Sequence, residues 1–295
     1  MDLENRVKYY MGKWYDTKFL IENPKKYEIG NDRLHDRIIL LNKHNLKTID
    51  RICDYSKYLV DNINIFQDKF ILYSMGDQIH NKENLPVICK ATTLNHAHII
   101  TKLNHHRHWG YISNVAANDI DYSQKKNSIV WRGVTTGFAK RNAIVTKYYN
   151  HPVFNIGFNK IIPKYAPKNP AKGDLSIKEH LEYKFILSIE GNDVASGLKW
   201  QLYSNSVVIM AKPTCISWAM EDKLIPYFHY IPVKDDYSDL EDVFKWALAH
   251  EAACRAITKN AKAFISQFLN ESNEQEIHRR ILKRYFQNVK LGPTS

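Results

Sequence analysis

The polar turn EGND, at residues 190–193, has the residue types and spacing to hold an anionic ligand. It ends the apolar run FILSI at residues 185–189, and residues 194–204 after it fit a helix. At such a strand-to-helix junction, backbone N–H groups and the positive end of the helix dipole face the ligand. Two apolar segments, SVVIMA and YFHYIPV, predict further strands at 206–211 and 227–233. The unit therefore predicts a nucleotide or phosphate site at the carboxyl edge of a parallel sheet.

A second loop with phosphate-binding character follows the predicted strand NSIVWRG. In the segment WRGVTTGFAKR, residues 131–141, two glycines flank two threonine hydroxyls, and Lys140 and Arg141 lie at the start of the next helix. Backbone N–H, hydroxyl and guanidinium groups together can donate hydrogen bonds to a diphosphate. A plain strand-to-helix turn with solvated charges is the alternative.

Asp77 closes the apolar strand FILYSMGD at residues 70–77. A carboxylate at the end of a strand can project into a cleft and act as a general base. Taken in isolation, a turn residue or a helix N-cap is the simpler explanation of this aspartate.

The histidines and cysteines predict neither a metal site nor a disulfide framework. The five histidines of residues 96–108 lack cysteine or carboxylate partners at ligand spacing, so a polar loop is expected there. The four cysteines are scattered without a CxxC pair, which is typical of buried thiols. They are Cys53, Cys89, Cys215 and Cys254.

The composition predicts a globular protein with an anionic partner. The 295 residues contain 42 Lys and Arg against 31 Asp and Glu, a formal net charge of +11. This charge is spread along the chain without a basic run, which argues against a nucleic-acid-binding arm. The apolar runs are far shorter than the roughly 20 residues of a membrane span, and the start of the chain lacks the apolar core of a secretory signal. We therefore expect a cytoplasmic protein.

Strands that alternate with helices predict an α/β protein with parallel sheets. A short polar break at residues 118–127 predicts a domain at 1–122 and another at 123–272. A C-terminal helix at 273–295 is expected to pack back on the first domain. His229 is expected to be a buried core residue of the strand at 227–233. Two capping-box pairs predict helix starts. They are Ser176 with Glu179, and Ser238 with Glu241.

Taken together, these segments resemble glycosyltransferase family 90, the group of protein O-glucosyltransferases, fungal capsule-associated proteins and bacterial lipopolysaccharide A proteins. The resemblance rests on WRG with Arg141 downstream, on KFILSIEGNDVAS, and on the block that runs from SNSVVIM to HEAACRAI. It implies a GT-B fold, in which two Rossmann-like domains with parallel sheets face each other across a cleft. It also implies an inverting, metal-independent transfer from a nucleoside-diphosphate sugar, usually a UDP-sugar, which the C-terminal domain binds.

The resemblance further implies roles for individual residues. Asp77 takes the place of the general base, Arg141 that of an arginine that holds the diphosphate, and Ser196 that of a serine before the next helix. Animal relatives carry a phosphate-binding arginine two residues after that serine, where this sequence has Leu198. Lys199 is the nearest cation that could replace it, as a point charge without the bidentate fork of arginine.

Glu221 is a candidate ligand of the ribose, because a carboxylate suits paired hydroxyls, and a surface helix residue is the alternative. The expected partners are a UDP-sugar (glucose, xylose or galactose) and a glycan acceptor such as a lipopolysaccharide core, and a peripheral membrane contact stays open. No cofactor beyond the co-substrate is expected. The alternatives are a catalytically silent glycan-binding relative and, less favoured, a basic nucleic-acid-binding protein. The predicted donor site comprises Gly133, Thr135, Thr136, Arg141, Gly191, Asn192, Asp193, Val194, Ala195, Ser196, Lys199 and Glu221.

Overall fold

The chain forms two compact units in the computed structural model. The residues that the structure describes are 1–28, 38–49, 52, 55–77, 84–95 and 98–293. The first unit comprises Met1–His106, Cys215–Met220 and Phe268–Ser295, and the second comprises Arg107–Thr214 and Glu221–Gln267.

Strands and helices alternate along most of the described chain. The strands are β1 (Phe19–Ile21), β2 (Ile39–Leu41), β3 (Ile71–Tyr73), β4 (Ile88–Cys89), β5 (Ala91–Thr93), β6 (Ile99–Ile100), β7 (Lys126–Val134), β8 (Asn155–Lys160), β9 (Tyr183–Ser188), β10 (Val207–Met210), β11 (Cys215–Ser217), β12 (Ile231–Pro232) and β13 (Val289–Leu291). The α-helices are α1 (Leu3–Met11), α2 (Lys43–Thr48), α3 (Lys57–Asp61), α4 (His105–His108), α5 (Ile112–Asn118), α6 (Phe138–Tyr148), α7 (Ile177–Leu181), α8 (Leu198–Tyr203), α9 (Leu240–Ala249), α10 (Glu251–Ser266) and α11 (Glu271–Asn288).

The second unit is built on a five-stranded sheet with the order β12-β10-β9-β7-β8. All of its pairings are parallel. β10 is buried at every position and β9 at its last four, and both consist mainly of Val, Ile, Leu and Phe. Continuous apolar strands of this kind belong to parallel sheets that are covered on both faces. The sheet confirms the predicted α/β class with parallel strands.

The order of the strands reverses between β7 and β9. From β7 the chain passes to β8 on one side, and it then returns to the other side of β7 to build β9, β10 and β12. In open parallel sheets, ligands bind outside the carboxyl ends of the strands at such a reversal. The loops that follow β7 and β9 therefore border the expected ligand crevice.

Helix α6, which follows β7, buries one stripe of side chains with helical spacing. The stripe consists of Arg141, Ile144, Val145 and Tyr148. Residues at these intervals lie on one face of a helix, which here packs against the sheet. Three of them belong to the apolar core of the unit, whereas Arg141 places a guanidinium group where an apolar side chain is usual.

The first unit contains a small mixed sheet with the order β2-β3-β4-β6. β2 runs antiparallel to β3, and the other pairings are parallel. β5 pairs antiparallel with β11, and β1 pairs parallel with β13. These pairings bring segments from the start, the middle and the end of the chain into one unit.

A buried ionic cluster supports the packing of α1 against α11 in the first unit. The Arg6 guanidinium lies 2.7 Å from the Glu274 carboxylate, and Lys102 Nζ lies 3.4 Å from its other oxygen. Lys102 Nζ also donates to the Phe268 carbonyl oxygen at 2.6 Å. His278 accepts from the Lys102 backbone N–H through Nε2, and its Nδ1 contacts the Glu274 carbonyl oxygen. Burial lowers the pKa of His278 to about 4, so the imidazole is neutral at pH 7.

The predicted helix after the EGND turn begins later than expected. α8 starts at Leu198, not at Val194. Leu198 N donates to the Ala195 carbonyl oxygen across a turn at Ser196 and Gly197. Ser and Gly disfavour helix interiors, so the non-helical segment continues to Gly197 and the helix begins four residues later than predicted.

The strand predicted at 227–233 is also shorter than expected, since only Ile231–Pro232 pair in the sheet. His229 is buried in a tight turn, not in a strand. Its N–H donates to the Ile225 carbonyl oxygen at 2.8 Å, and its ring Nδ1 accepts from Ile225 N at 2.9 Å. The imidazole thus takes the place of a backbone carbonyl as the acceptor for Ile225 N, and this contact stabilises the turn.

One of the two predicted capping boxes is confirmed. Ser176 and Glu179 cap α7 reciprocally. The second prediction is wrong, because the N-cap of α9 is Asp239 and not Ser238, and no side chain caps the helix. The Asp239 carboxylate instead accepts from Lys234 N at 3.0 Å, which orders the preceding loop.

Cys89, Cys215 and Cys254 are buried thiols, as expected, whereas Cys53 lies outside the described residues. The expected polar loop of histidines is partly helical, since His105–His108 form α4, and His96 is also outside the described residues. Within the described ranges, His, Cys, Asp and Glu side chains form no cluster of three suited to a metal ion. None of the described helices has the length and apolar composition needed to cross a membrane.

Candidate functional site

A small pocket lies at the carboxyl ends of β9 and β10 in the second unit. Ser188 and Met210, the last residues of these strands, form part of its wall. The Tyr237 hydroxyl joins the two strand ends, because it donates to the Ser188 carbonyl oxygen at 3.1 Å and accepts from Ala211 N at 3.5 Å. The pocket lies at the edge of the sheet where small-molecule sites occur in parallel sheets.

The segment between β9 and α8 forms an apolar side of this pocket. Val194, Ala195 and Leu198 all line it. Of the other residues predicted in this segment, Asp193 is buried and Ser196 is half-buried, and neither lines the pocket. The segment therefore contributes mainly apolar side chains to the wall of the pocket.

Two glycines allow the loops after β7 and β9 to approach closely. Gly137 has φ +63°, and a Cβ atom there would lie 2.6 Å from the Gly191 carbonyl oxygen. A Cβ atom on Gly191 would lie 2.8 Å from the Thr136 hydroxyl. The Gly137 N–H donates to the Asn192 side chain at 3.1 Å. Because neither position has room for a side chain, both glycines are needed for the loops to meet at the strand reversal.

Arg141 binds these two loops together from within. Its guanidinium donates to the Val134 carbonyl oxygen and the Thr136 hydroxyl on one loop, at 2.9 and 2.8 Å. On the other it donates to the carbonyl oxygens of Ile189 and Glu190, at 2.7 and 3.2 Å. Burial lowers the pKa of Arg141 to about 10, which still leaves it charged at pH 7. The guanidinium group therefore uses these four hydrogen bonds to hold the two loops together.

Two other predicted residues of the first loop make local contacts. The buried Thr135 hydroxyl accepts from Ile162 N at 2.9 Å and so anchors the chain after β8. A Cβ atom on Gly133 would lie 2.5 Å from the Trp131 ring, so glycine lets that ring fold over the strand. Neither residue lines the pocket.

Lys199 and Glu221 form a buried ion pair next to the pocket. Lys199 Nζ lies 2.7 Å from the Glu221 carboxylate, and their side chains are 0% and 1% exposed. Glu221 lines the pocket, whereas Lys199 does not. The lysine therefore neutralises a carboxylate in the pocket wall, and a diphosphate would have to compete with Glu221 to reach it.

Asp77 belongs to the first unit, four residues after β3. Its carboxylate lies 2.9 Å from Lys90 Nζ; the aspartate side chain is 32% exposed and the lysine side chain 8%. The carboxylate is thus held by an ion pair and stays partly accessible to solvent.

Several residues of the pocket were not among the predicted site residues. Lys140 and Lys212 line it, and so does Glu190, whose two carboxylate oxygens accept from Thr214 N and Oγ1 at 2.9 and 2.5 Å. Lys140 was visible in the sequence as the neighbour of Arg141. Lys212 and Tyr237 are less evident in the sequence. Each follows a predicted strand, and the carboxyl ends of parallel strands meet at one edge of the sheet, where a ligand site is expected.

The family model for glycosyl transferase family 90 matches residues 105–295. O-glucosyltransferase LpsA from Dichelobacter nodosus is 33% identical over 205 residues, which are 68% of this chain and 62% of LpsA. O-glucosyltransferase rumi from Drosophila melanogaster is 24% identical over 172 residues, 56% of this chain and 42% of rumi. Human protein O-glucosyltransferase 1 is 24% identical over 151 residues, 50% of this chain and 38% of that protein.

These matches confirm the family resemblance seen in the sequence. The chain spans less than two thirds of the length of these relatives, since it covers 62%, 42% and 38% of them. All the residues that line the pocket fall within the matched range, whereas Asp77 precedes it.

Proposed function

The chain belongs to glycosyl transferase family 90, and on this premise we propose that it transfers a sugar from a UDP-sugar to a hydroxyl group of a glycan. The observation that carries the proposal is the pocket at the carboxyl ends of β9 and β10, beside the strand reversal. Nucleotides bind at this position in parallel sheets because loop N–H groups and helix ends converge there. Three relatives are named O-glucosyltransferases, which makes UDP-glucose the first donor to test, with UDP-xylose and UDP-galactose next.

In the proposed complex, the backbone at Val194 and Ala195 faces the diphosphate, and Glu221 accepts hydrogen bonds from the ribose hydroxyls. The ion pair with Lys199 supports this role of Glu221, because it holds the carboxylate in a fixed position in the pocket wall. Arg141 supports donor binding by holding the loops after β7 and β9 in place, with the Gly191, Asn192 and Gly137 contacts between them.

We further propose a single displacement with inversion, in the GT-B organisation that the family implies. An acceptor oxygen forms the new bond to the anomeric carbon while the bond from that carbon to UDP breaks. The acceptor proton passes to Asp77, and UDP leaves with the electron pair. The support for this assignment is the position of the carboxylate, which is held by the ion pair with Lys90 and is 32% exposed. The proposed reaction uses no divalent metal, so fixed protein donors stabilise the departing diphosphate.

The proposed acceptor is an anionic glycan such as a lipopolysaccharide core. The support is the formal net charge of +11, which favours an anionic partner and raises its local concentration by electrostatic steering. A glycan on a membrane surface would fit the same charge argument. The sign of the charge does not favour a particular acceptor hydroxyl or linkage.

The direct test is release of UDP. The protein is incubated with UDP-glucose, UDP-xylose or UDP-galactose, with and without a lipopolysaccharide core acceptor, in the presence of EDTA. Acceptor-dependent release of UDP from one of these donors would support the proposal. Binding of UDP without release would instead indicate a catalytically silent relative. The observation that motivates this alternative is Leu198, at the position where the family resemblance implies an arginine. No binding of UDP would refute the donor site.

A further inference from the structure

The two cations expected to bind the diphosphate are engaged within the protein. Arg141 makes four hydrogen bonds to loop atoms, and Lys199 is fully buried against Glu221. Leu198, where the family resemblance implies an arginine in animal relatives, is apolar and lines the pocket. A diphosphate in this pocket therefore needs positive charge from other residues.

Lys140 and Lys212 are the lysines that line the pocket. Neither forms an ion pair with any other residue in the described part of the chain. Of the two carboxylates in the pocket wall, Glu221 is neutralised by Lys199, and both oxygens of Glu190 accept from Thr214. The hydrogen bonds from Thr214 leave the charge of Glu190 in place, so apart from the Lys199–Glu221 pair the two lysines exceed the carboxylates of the pocket wall by one charge.

We propose that Lys140 and Lys212 bind the diphosphate of the nucleotide donor and together replace the arginine that is absent at Leu198. The inference rests on the proposed function, because it assigns the phosphate contacts of that same pocket. The two lysines approach it from different elements: Lys140 lies in the first turn of α6, and Lys212 follows β10.

The local backbone favours this arrangement at both positions. Pro213 follows Lys212, and a proline restricts the backbone of the preceding residue to extended conformations, which limits the positions open to the lysine. Gly137, in the left-handed conformation, turns the chain into α6 and brings Lys140 to the pocket. Lysine ammonium groups act as point charges, so they bind phosphate oxygens without the strict planar geometry of arginine.

The test compares UDP with uridine, which lacks the phosphates, by isothermal titration calorimetry. In Lys140→Gln/Lys212→Gln, UDP affinity should fall by roughly tenfold per lysine, the effect of one lost charge-assisted hydrogen bond each. Uridine affinity should be unchanged. The dependence of UDP affinity on salt should also weaken, because fewer charges contact the ligand.

A matched control is Lys178→Gln/Lys259→Gln, which removes the same charge from two exposed helix lysines that do not line the pocket. It should bind UDP as the unaltered protein does. Lys140→Arg/Lys212→Arg, which keeps both charges, should restore most of the affinity. Circular dichroism and thermal unfolding check the fold of each variant.

The outcomes separate this inference from the proposed function. If the unaltered protein does not bind UDP, the donor proposal fails and the lysine assignment fails with it. If it binds UDP and the pocket variant does so equally well, only the lysine assignment is wrong. An equal loss of UDP and uridine affinity would also overturn the assignment, because it would reflect a changed pocket and not lost phosphate contacts.

Discussion

Replacement of Lys199 by methionine tests the buried ion pair from which the proposed role of Glu221 follows. The two charged groups are 2.7 Å apart, with side chains 0% and 1% exposed. Removal of one partner from such a pair leaves an uncompensated buried charge, which costs about 3–5 kcal/mol. Methionine nearly fills the volume of the lysine stem, so little of this loss would come from a cavity. The predicted loss is a large part of the 5–15 kcal/mol by which folded domains are usually stable.

Urea unfolding, followed by circular dichroism, measures this effect. A double-mutant cycle with Glu221→Gln separates the pair from the single residues: the double variant should be about 2 kcal/mol or more stable than the sum of the single losses predicts. Lys126→Met is the matched control in the same unit, because Lys126 and Glu182 are also 2.7 Å apart but 57% and 43% exposed. An exposed pair contributes at most about 1 kcal/mol.

The same variants connect stability with ligand recognition. If Glu221 accepts from the ribose hydroxyls, the unaltered protein should prefer UDP to 2′-deoxy-UDP, and Lys199→Met should reduce that preference because it releases the carboxylate. The reasoning is refuted if Lys199→Met loses no more stability than Lys126→Met. Unchanged discrimination between the two nucleotides would refute the role of the pair in the site, even where the stability result holds.

Three further predictions follow from the same structure. Asp77→Asn should abolish sugar transfer and leave UDP affinity intact, because the amide cannot take the proton; full activity would remove Asp77 from the mechanism. Arg141→Ala should lower both the melting temperature and the UDP affinity, since four hydrogen bonds between the loops are lost; unchanged donor affinity would contradict its role. His278, with a folded-state pKa of about 4, takes up a proton in the unfolded chain near pH 6.5, so stability is complete above that pH and falls by up to about 3 kcal/mol toward pH 4. Urea titrations at several pH values should show a smaller dependence in His278→Gln, and an equal one would refute the assignment.

The sheet of the second unit was predictable because its strands are continuous apolar runs. SIVW in β7, FILS in β9 and VVIM in β10 are mainly apolar, and parallel strands covered on both faces have this pattern. The start of α8 and the length of β12 were not predictable in the same way. Both depend on turns, at Ser196 and around His229, whose hydrogen bonds are set by neighbouring residues and not by periodicity.

The burial of Arg141 could have been predicted, since positions 141, 144, 145 and 148 form one helical stripe. The sequence shows a basic residue beside a Gly-Thr loop, which resembles a ligand-binding cation. The stripe places that cation on the core side of the helix, where a guanidinium group must find hydrogen-bond partners within the protein. The carbonyl oxygens at the ends of β7 and β9 supply them.

In the proposed complex, Lys199 does not replace the arginine that the family resemblance implies at position 198, because it is buried against Glu221. Adjacent residues on a helix point about 100° apart, so a side chain at 199 leaves the pocket that Leu198 lines and meets Glu221 behind its wall. We propose that the positive charge comes instead from positions that the sheet brings to the same edge. Lys140 after β7 and Lys212 after β10 are 72 residues apart in sequence, yet the two strands flank β9 on either side, so their loops converge where the ligand is expected. The positive charge of the site is therefore determined by the order of the strands, which a search along neighbouring sequence positions does not reveal.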